Sequence, residues 1–513
     1  MTRVNFEPEG DAVESPPTET QRLLPSTGTS PEGHRSHINS RTLWKIYAII
    51  FFANMGVQIL GPAQTRIYET IYCAQWYKNH PLDDSIQHLG QIPEFLCKIK
   101  EVQQPVSSLK GWLECFGAIP GLLLSIPMGI LVDSIGRKYV GLLVVTTLWL
   151  TQVWIAFISW FDGAISLRYI WCGSFVYLFG GGVIVAEIVI ACILTDISSK
   201  EELYAILSTF SESPLTFTRT VNFLRTSAFN AFAKTCGPII AAILMRYDPW
   251  LAIYTGLAML LFTVILIIHV PETLQLREGF EATQRGHATK WFSNITWKET
   301  RESLREVMKI WSDWRLCFVA LTYPFRMLAY ALSDLIQRYV SNRYGWTLAD
   351  ATLLYSIQAA GAGILLFTLL PWISHQIDMR YSWSTIHKNV VLSRASLLVL
   401  AIAYVTIGIA FNIPMLIVGL FVESMSTGLQ STMKTLASAL VEGEGQGKVF
   451  SLLAMVETLS TMLAFPLSAS LFNLGLQKGG GAWLGLPYDM TALLAFVCFL
   501  SMCLLTFEAR MRI

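Results

Sequence analysis

The sequence has little charge, no cluster of basic residues and no pair of cysteines at metal-binding spacing. Of its 513 residues, 14% are Asp, Glu, Lys or Arg, and the formal net charge is +1. About a quarter of the residues of a soluble domain are charged. The low charge therefore excludes an ordinary soluble protein, and the near-neutral balance argues against a nucleic-acid partner.

Catalytic and metal-binding patterns are also missing. The nine cysteines are scattered without a C-x-x-C pair, and of the eight histidines only His269 lies in an apolar run. We find no H-E-x-x-H, no G-x-S-x-G and no P-loop G-x-x-x-x-G-K-[ST]. We therefore predict no enzyme, no metal site, no cofactor and no ATP-driven machinery.

What the chain has in abundance is long apolar runs. Hydrophobic residues make up 53% of it, and runs of about 20 residues, enough to cross a bilayer, occur repeatedly. We predict an all-α polytopic membrane protein. The twelve predicted transmembrane helices span about 43–65, 111–132, 139–158, 169–195, 222–245, 250–270, 315–337, 349–371, 391–411, 413–436, 449–475 and 488–506.

The charged segment from Pro271 to Trp314 divides these helices into two groups of six. Most Lys and Arg outside the helices lie on the cytoplasmic side if both termini are cytoplasmic. The apolar residues of the segment recur at helical spacing, which predicts an amphipathic helix on the inner leaflet. The predicted organisation is a disordered tail 1–42, a lobe 43–270, a linker 271–314, a lobe 315–506 and a tail 507–513.

The stretch Leu203–Thr220 interrupts this order between the fourth and fifth helices. It is too polar for a span and too long for a short turn. One interpretation is a cytoplasmic insertion. The other is a retained intron, because the residues at its two ends can be encoded by codons that resemble splice sites.

The turn between the second and third helices reads GILVDSIGRK, residues 129–138. It resembles the signature G-x-L-x-D-x-x-G-R-[KR] of the major facilitator superfamily. The resemblance implies twelve helices in two lobes and a cytoplasmic latch between the lobes. Gly129 would let helices approach, Asp133 would face a helix N-terminus, Gly136 would permit the turn, and Arg137 and Lys138 would anchor to phosphates and carboxylates.

Other stretches extend the resemblance over the chain beyond the tail. VPETL at 270–274 is similar to the end of the sixth helix in sugar and drug transporters. PAQTRIYETIYC, FLCK, RYVSNRYGW and GLPY look like a fungal branch related to the proton-coupled folate transporter group. One departure stands out, because the second copy of the signature near 372–382 is reduced to Asp378 and Arg380.

A secondary transporter therefore fits best, and two alternatives stay open. The first hypothesis is proton-coupled export of a small organic molecule by alternating access, and the second is proton-coupled uptake of a vitamin or organic acid. The third is a membrane sensor built on a transporter fold, although such sensors usually carry long cytoplasmic extensions.

The resemblance also implies a central cavity lined by helices 1, 4, 7 and 10. Each of these carries a polar residue at similar depth, and the four are Asn54, Glu187, Arg326 and Glu423. Mid-membrane charges cost about 2.5–3.5 kcal/mol each, so we expect them to face water or one another. Arg326, flanked by two carboxylates, would bind an anionic or polar group of the substrate. Glu187 or Glu423 would carry the proton, and Lys234 and Glu457 are further candidates. The alternative is a structural ion pair between the lobes.

Two short features bear on the loops and the location. Cys73 and Cys97 lie in the long outward loop predicted after the first helix, where oxidation permits a disulfide. Glu19, Leu23 and Leu24 fit an acidic dileucine sorting signal. We expect a monomer in the plasma membrane, with a vacuolar or endosomal membrane as the alternative, and with lipid, protons and a small molecule as its partners.

Overall fold

The structure is a computed structural model that describes most of the chain beyond the tail. The described residues are 40–81, 92–197, 217–271, 314–369, 385–427 and 446–510, with isolated residues at 372, 373, 376, 379, 380, 429 and 433. The predicted sorting signal, the linker helix, Asp378 and most of the stretch 203–220 lie outside these ranges. No strand occurs within them.

The first half of the described chain contains helices α1 to α6. Their bounds are α1 Ser40–Asn79, α2 Lys100–Ser134, α3 Arg137–Trp160, α4 Gly182–Ile197, α5 Phe217–Tyr247 and α6 Pro249–Ile268. A 3-10 segment, Leu167–Val176, and one helical turn, Tyr177–Gly180, precede α4. Gly181 separates them from α4 with a φ of 79°, a conformation that glycine adopts without steric cost.

The second half contains helices α7 to α12. Their bounds are α7 Trp314–Tyr344, α8 Leu348–Ile364, α9 Thr385–Ile409, α10 Ile413–Ser424, α11 Gln446–Gln477 and α12 Leu486–Arg510. A π-helical turn, Leu365–Leu369, continues α8.

Nine helical segments among the described residues are long and apolar enough to cross a membrane. They belong to α1, α3, α4, α5, α6, α8, α9, α11 and α12. The chain is an all-α, multi-pass membrane protein, which confirms the predicted class. Throughout, the outer end is the end of the bundle where α1 finishes and α2 begins, and the inner end is the turn between α2 and α3.

The helix ends differ from the predicted ones most at the outer end. The first helix was expected to stop near residue 65, but α1 continues to Asn79, and α2 begins at Lys100 rather than near 111. Cys73 therefore lies in a helix, not in a loop, which corrects the expected position. The extension follows from polar side chains that bind one another at this end, such as Arg66 and Glu69 in an i,i+3 pair.

Buried apolar residues form one large cluster in each half. The cluster of the second half involves α7 to α12, and that of the first half also takes in Leu348 and Ala349 from α8. The halves meet where α2 packs against α11 and α5 packs against α8. The interface between these helix pairs is therefore the place to look for a site shared by both halves.

Candidate functional site between the two halves

An ion pair joins the halves near the outer end. Lys110 on α2 lies 2.7 Å from a carboxylate oxygen of Asp334 on α7, and Arg338 lies 2.9 Å from the other oxygen. The ammonium group of Lys110 also donates to Thr65 Oγ1 at 3.0 Å. Since Lys110 and Arg338 are largely buried, this pairing satisfies two cations that would be costly to bury alone.

Glu69 organises a second group of contacts at the same end. Its carboxylate is buried and accepts hydrogen bonds from Arg66, Lys98 and Gln103, at 2.6, 2.7 and 2.6 Å. The amide oxygen of Gln103 in turn accepts from Asn342 Nδ2 in the second half, at 3.0 Å. The buried carboxylate thus connects the end of α1 to the end of α7.

A short 3-10 turn, Glu94–Cys97, makes a third connection. Glu94 accepts a hydrogen bond of 2.7 Å from the backbone N–H of Leu348, the first residue of α8, where a negative charge is favoured. The turn is tied to α1 by a disulfide between Cys73 and Cys97, whose Cα atoms are 5.4 Å apart. This bond joins the same two cysteines that the sequence predicted. Thiol labelling of the protein would test whether it forms.

The close approach of the halves occurs at Gly111 rather than at Gly129. A Cβ atom on Gly111 would lie 2.9 Å from Ala469 Cβ and 3.0 Å from the carbonyl oxygen of Phe465, both on α11. A Cβ atom on Gly129 would have no described atom within 4 Å. The role expected for Gly129, in helix approach, therefore belongs to Gly111 in this structure.

The predicted cavity residues of the second half have partners within that half. Arg326 forms an ion pair with Glu457 on α11 and lies 5.8 Å from the centre of the Tyr323 ring. Glu423 on α10 accepts a hydrogen bond of 2.5 Å from Gln358 on α8. The packing of α7 against α11 places Glu457 next to Arg326, and the expected flanking of Arg326 by Glu187 and Glu423 stays a prediction.

The predicted residues of the first half lie on α1, α4 and α5. Glu187 on α4 and Lys234 on α5 are both exposed, and they lie within electrostatic range of each other. Asn54 donates to the carbonyl oxygen of Ile50 on its own helix at 2.8 Å. That these residues converge with Arg326 and Glu423 on one cavity, as their similar depth indicates, stays a prediction.

Sequence reasoning missed Glu114 and Tyr330, which face the interface one helical turn inside the Lys110–Asp334 pair. Glu114 follows Lys110 by four residues on α2, and Tyr330 precedes Asp334 by four on α7. Residues four apart share a helix face, and α2 and α7 run in opposite directions. Both residues are exposed, Tyr330 to 63%. The sequence signal for Glu114 was its position four residues after Lys110 in a mainly apolar run.

The signature turn at the inner end has contacts within the first half. Gly136 has a φ of 124°, which favours glycine. Arg137 is buried and donates to the carbonyl oxygen of Val132 at 2.6 Å. Lys138 is partly exposed, and the side chain of Asp133 lies outside the described part of the chain. An apolar pocket with about 570 Å³ of empty volume lies beside this turn, and Arg137 and Lys138 are among its lining residues.

No group of His, Cys, Asp and Glu residues in the described ranges could hold a metal ion. The polar groups at the interface are instead carboxylates, cations and a phenol set among membrane helices. Such groups can bind a small polar molecule or a proton.

The chain is similar over most of its length to named fungal transporters. It is 25% identical over 448 residues to the MFS efflux pump atnC of Emericella nidulans, with 85% of this chain and 82% of that protein covered. It is 26% identical over 476 residues to the MFS-type transporter aprT of Aspergillus flavus, with 90% and 87% covered. No family model matches the chain.

A solved structure shows the same fold. The D-xylose–proton symporter has a TM-score of 0.59 and 12% identity, with 91% of this chain and 97% of that one covered. The fold is that of major facilitator transporters, and the fungal relatives support the same superfamily. The narrower resemblance to the folate transporter group is not among these findings.

Proposed function

We propose that the chain is a secondary active transporter that exports a small organic molecule by alternating access. The observation that carries the proposal is the closed outer end directly above Glu114 and Tyr330, one from each half. In alternating access the two halves act as lobes that rock around a central site. The hydrogen bonds at the outer end would then form in one state and break in the other.

Export is favoured over uptake by the names of the relatives. AtnC is named an efflux pump, and neither of the two fungal relatives is named for catalysis or sensing. Uptake of a vitamin or organic acid remains the second candidate, since a symporter shares the fold.

The function can be tested by profiling metabolites in cells and medium with and without the gene. We expect the transported compound to accumulate in cells that lack the gene and to decline in their medium. A matched strain should carry Gly111→Leu, which is designed to block closure of the outer end. Profiles that are the same in all three strains would contradict export.

We further propose that the exporter is coupled to protons through Glu187 or Glu423. Glu187→Gln or Glu423→Gln should abolish transport driven by a pH gradient and leave substrate exchange at equal concentrations intact. Glu101→Gln serves as the control, since the ion pair of Glu101 among the described residues is with its neighbour Lys100 at 3.7 Å. Loss of expression and exchange together would mean that these residues hold the fold.

We propose that the protein is a monomer in the plasma membrane. Mutation of the dileucine pattern tests this location. Changing Leu23 and Leu24 to Ala should move the protein to the plasma membrane if the signal sends it to a vacuole or endosome. Fluorescence imaging of tagged wild-type and variant proteins would decide between the two membranes, and an unchanged distribution would dismiss the signal.

A further inference from the structure

Glu114 is a carboxylate without a described hydrogen-bond donor or cation in contact with it. Its nearest charged neighbour on α2, Lys110, is engaged by Asp334 and Thr65. Glu114 nevertheless lies in a mainly apolar part of α2 and is exposed. A charged carboxylate in such a place raises the free energy of the folded protein unless it contacts water, binds a proton or pairs with a cation.

The exposure of Glu114 is directed to the space between the halves rather than to lipid. Lys110, one turn away on the same face of α2, contacts α1 and α7. On α7, Arg326, Tyr330 and Asp334 follow one another at intervals of four residues. Arg326 contacts α11, and Asp334 contacts α2. Tyr330 itself has ring contact with Phe465 of α11, at 5.9 Å between centroids. Both side chains therefore point into the interface.

Aromatic rings surround this carboxylate on more than one side. Glu114 lies within electrostatic range of Tyr68 on α1, of Tyr177 before α4 and of Tyr330 on α7. Tyr68 is fully buried, and its hydroxyl has no hydrogen-bond partner in the part of the chain that the structure describes. A carboxylate among phenol rings is the combination that binds organic cations, because the ring faces are electron-rich.

The other charges near this point do not favour an anion. Tyr330 lies within range of three carboxylates, those of Glu114, Asp334 and Glu187. The cations nearby, Lys110 and Arg338, are both held by Asp334. An anionic group would meet the negative charge of Glu114, while both cations already share the carboxylate of Asp334. A cation would meet a carboxylate that has no hydrogen bond or ion pair among the described residues.

We propose that Glu114 and Tyr330 form a binding site for the positively charged nitrogen of an organic substrate. The positive group lies between the Glu114 carboxylate and the Tyr330 ring, directly below the ion pair that closes the outer end. The inference rests on the proposed function, because it names the substrate class of that transporter. The test of the cation site measures binding rather than transport. The cation site and the proposed export function can therefore fail independently.

Two probes of the same shape and opposite charge provide the test. Tetraphenylphosphonium and tetraphenylborate have nearly the same size and shape and opposite charges, and neither is an acid or base that titrates near neutral pH. Binding of each to the purified full-length protein would be measured by thermal stabilisation and by equilibrium dialysis. We expect the wild type to prefer the cation. Glu114→Gln should weaken cation binding at least about tenfold and leave binding of the anion unchanged or stronger.

Further variants separate recognition from folding and from proton transfer. Glu114→Asp should retain most of the preference for the cation, and Tyr330→Phe should bind like the wild type because the ring is kept. Tyr330→Leu should lose about threefold. Glu101→Gln, on the same helix, should bind both probes like the wild type. Size-exclusion profiles identify any variant that does not fold.

Three results would overturn the proposal. The first is equal binding of both probes by the wild type. The second is cation binding that survives Glu114→Gln while proton-driven transport is lost, which would make Glu114 a proton carrier. The third is a folded Glu114→Asp protein that binds no better than Glu114→Gln. Export that fails while charge-selective binding persists would reject the proposed function and leave the cation site in place.

Discussion

At the outer end of the bundle, side chains of the two halves touch one another, whereas the described contacts of the signature turn at the inner end stay within the first half. Lys110 with Asp334, Gln103 with Asn342 and Glu94 with the N-terminus of α8 all join the halves at the outer end. Arg137 at the inner end binds the carbonyl of Val132, five residues before it. The described contacts that join the halves at the outer end are therefore made by residues outside the charged signature.

The difference shows that two ends of one interface can depend on different types of residue. The outer end combines a glycine contact, buried charges and a disulfide-tied turn, all of which need the halves to be close. At the inner end a glycine permits the turn, and Arg137 donates to a carbonyl oxygen of its own half. Mutations at the two ends should therefore have separable effects on the balance of states.

The largest effect should come from Gly111. Gly111→Leu places a side chain where α11 leaves room for none, so the outer end cannot close and transport should fall to background. Gly129→Leu is the matched control, and we expect it to keep most activity. The measurement is transport into vesicles at equal protein levels. Equal loss in both variants would mean that the inner end packs as closely in another state.

A smaller effect should follow from breaking the ion pair. Asp334→Asn leaves Lys110 and Arg338 without their shared carboxylate. Because Asp334 is 31% exposed, we expect a cost of about 1–2 kcal/mol rather than that of a fully buried pair. This corresponds to about a tenfold shift away from the outer-closed state, measurable with spin labels at the outer ends of α2 and α11.

A double-mutant cycle sharpens this result. Lys110→Ala and Asp334→Ala together should cost less than the sum of the single changes. Strict additivity would show that the contact does not stabilise the closed state.

A still smaller effect is expected at the inner turn. Asp133→Asn and Arg137→Ala should leave membrane insertion intact and slow transport up to about fivefold, as expected for a charge near a helix end. Transport rates at equal surface levels provide the measurement. If both variants transport at the wild-type rate, the signature turn acts only in setting the membrane topology of the helices.

The smallest effect on transport should come from the disulfide. Replacing Cys73 and Cys97 by Ser should lower stability by about 3 kcal/mol in the chain-entropy model. We expect the transport rate at low temperature to change by less than about twofold, because the contacts of Glu69 and Glu94 remain. Thiol labelling of unreduced protein should leave both cysteines unmodified, and labelling of both would contradict the bond.

The sequence by itself determined the all-α membrane class and the approximate position of the helices. Apolar runs long enough to cross a bilayer have few other structures open to them, because backbone groups must be satisfied within the segment. The same reasoning placed the start of α7 and the signature turn within a few residues. It misplaced the end of α1, because Arg66 and Glu69 look like the start of a loop until their partners are known.

Only the tertiary structure decided which charged residues meet. Depth along each helix predicts that Asn54, Glu187, Arg326 and Glu423 converge, and the packing of α7 on α11 decides that Arg326 forms an ion pair with Glu457. Depth is a property of one helix, whereas a contact depends on which helices are neighbours and how each is rotated about its axis. The positions of Lys110, Glu114, Tyr330 and Asp334 at the interface follow from that rotation, which the side-chain packing of both halves sets.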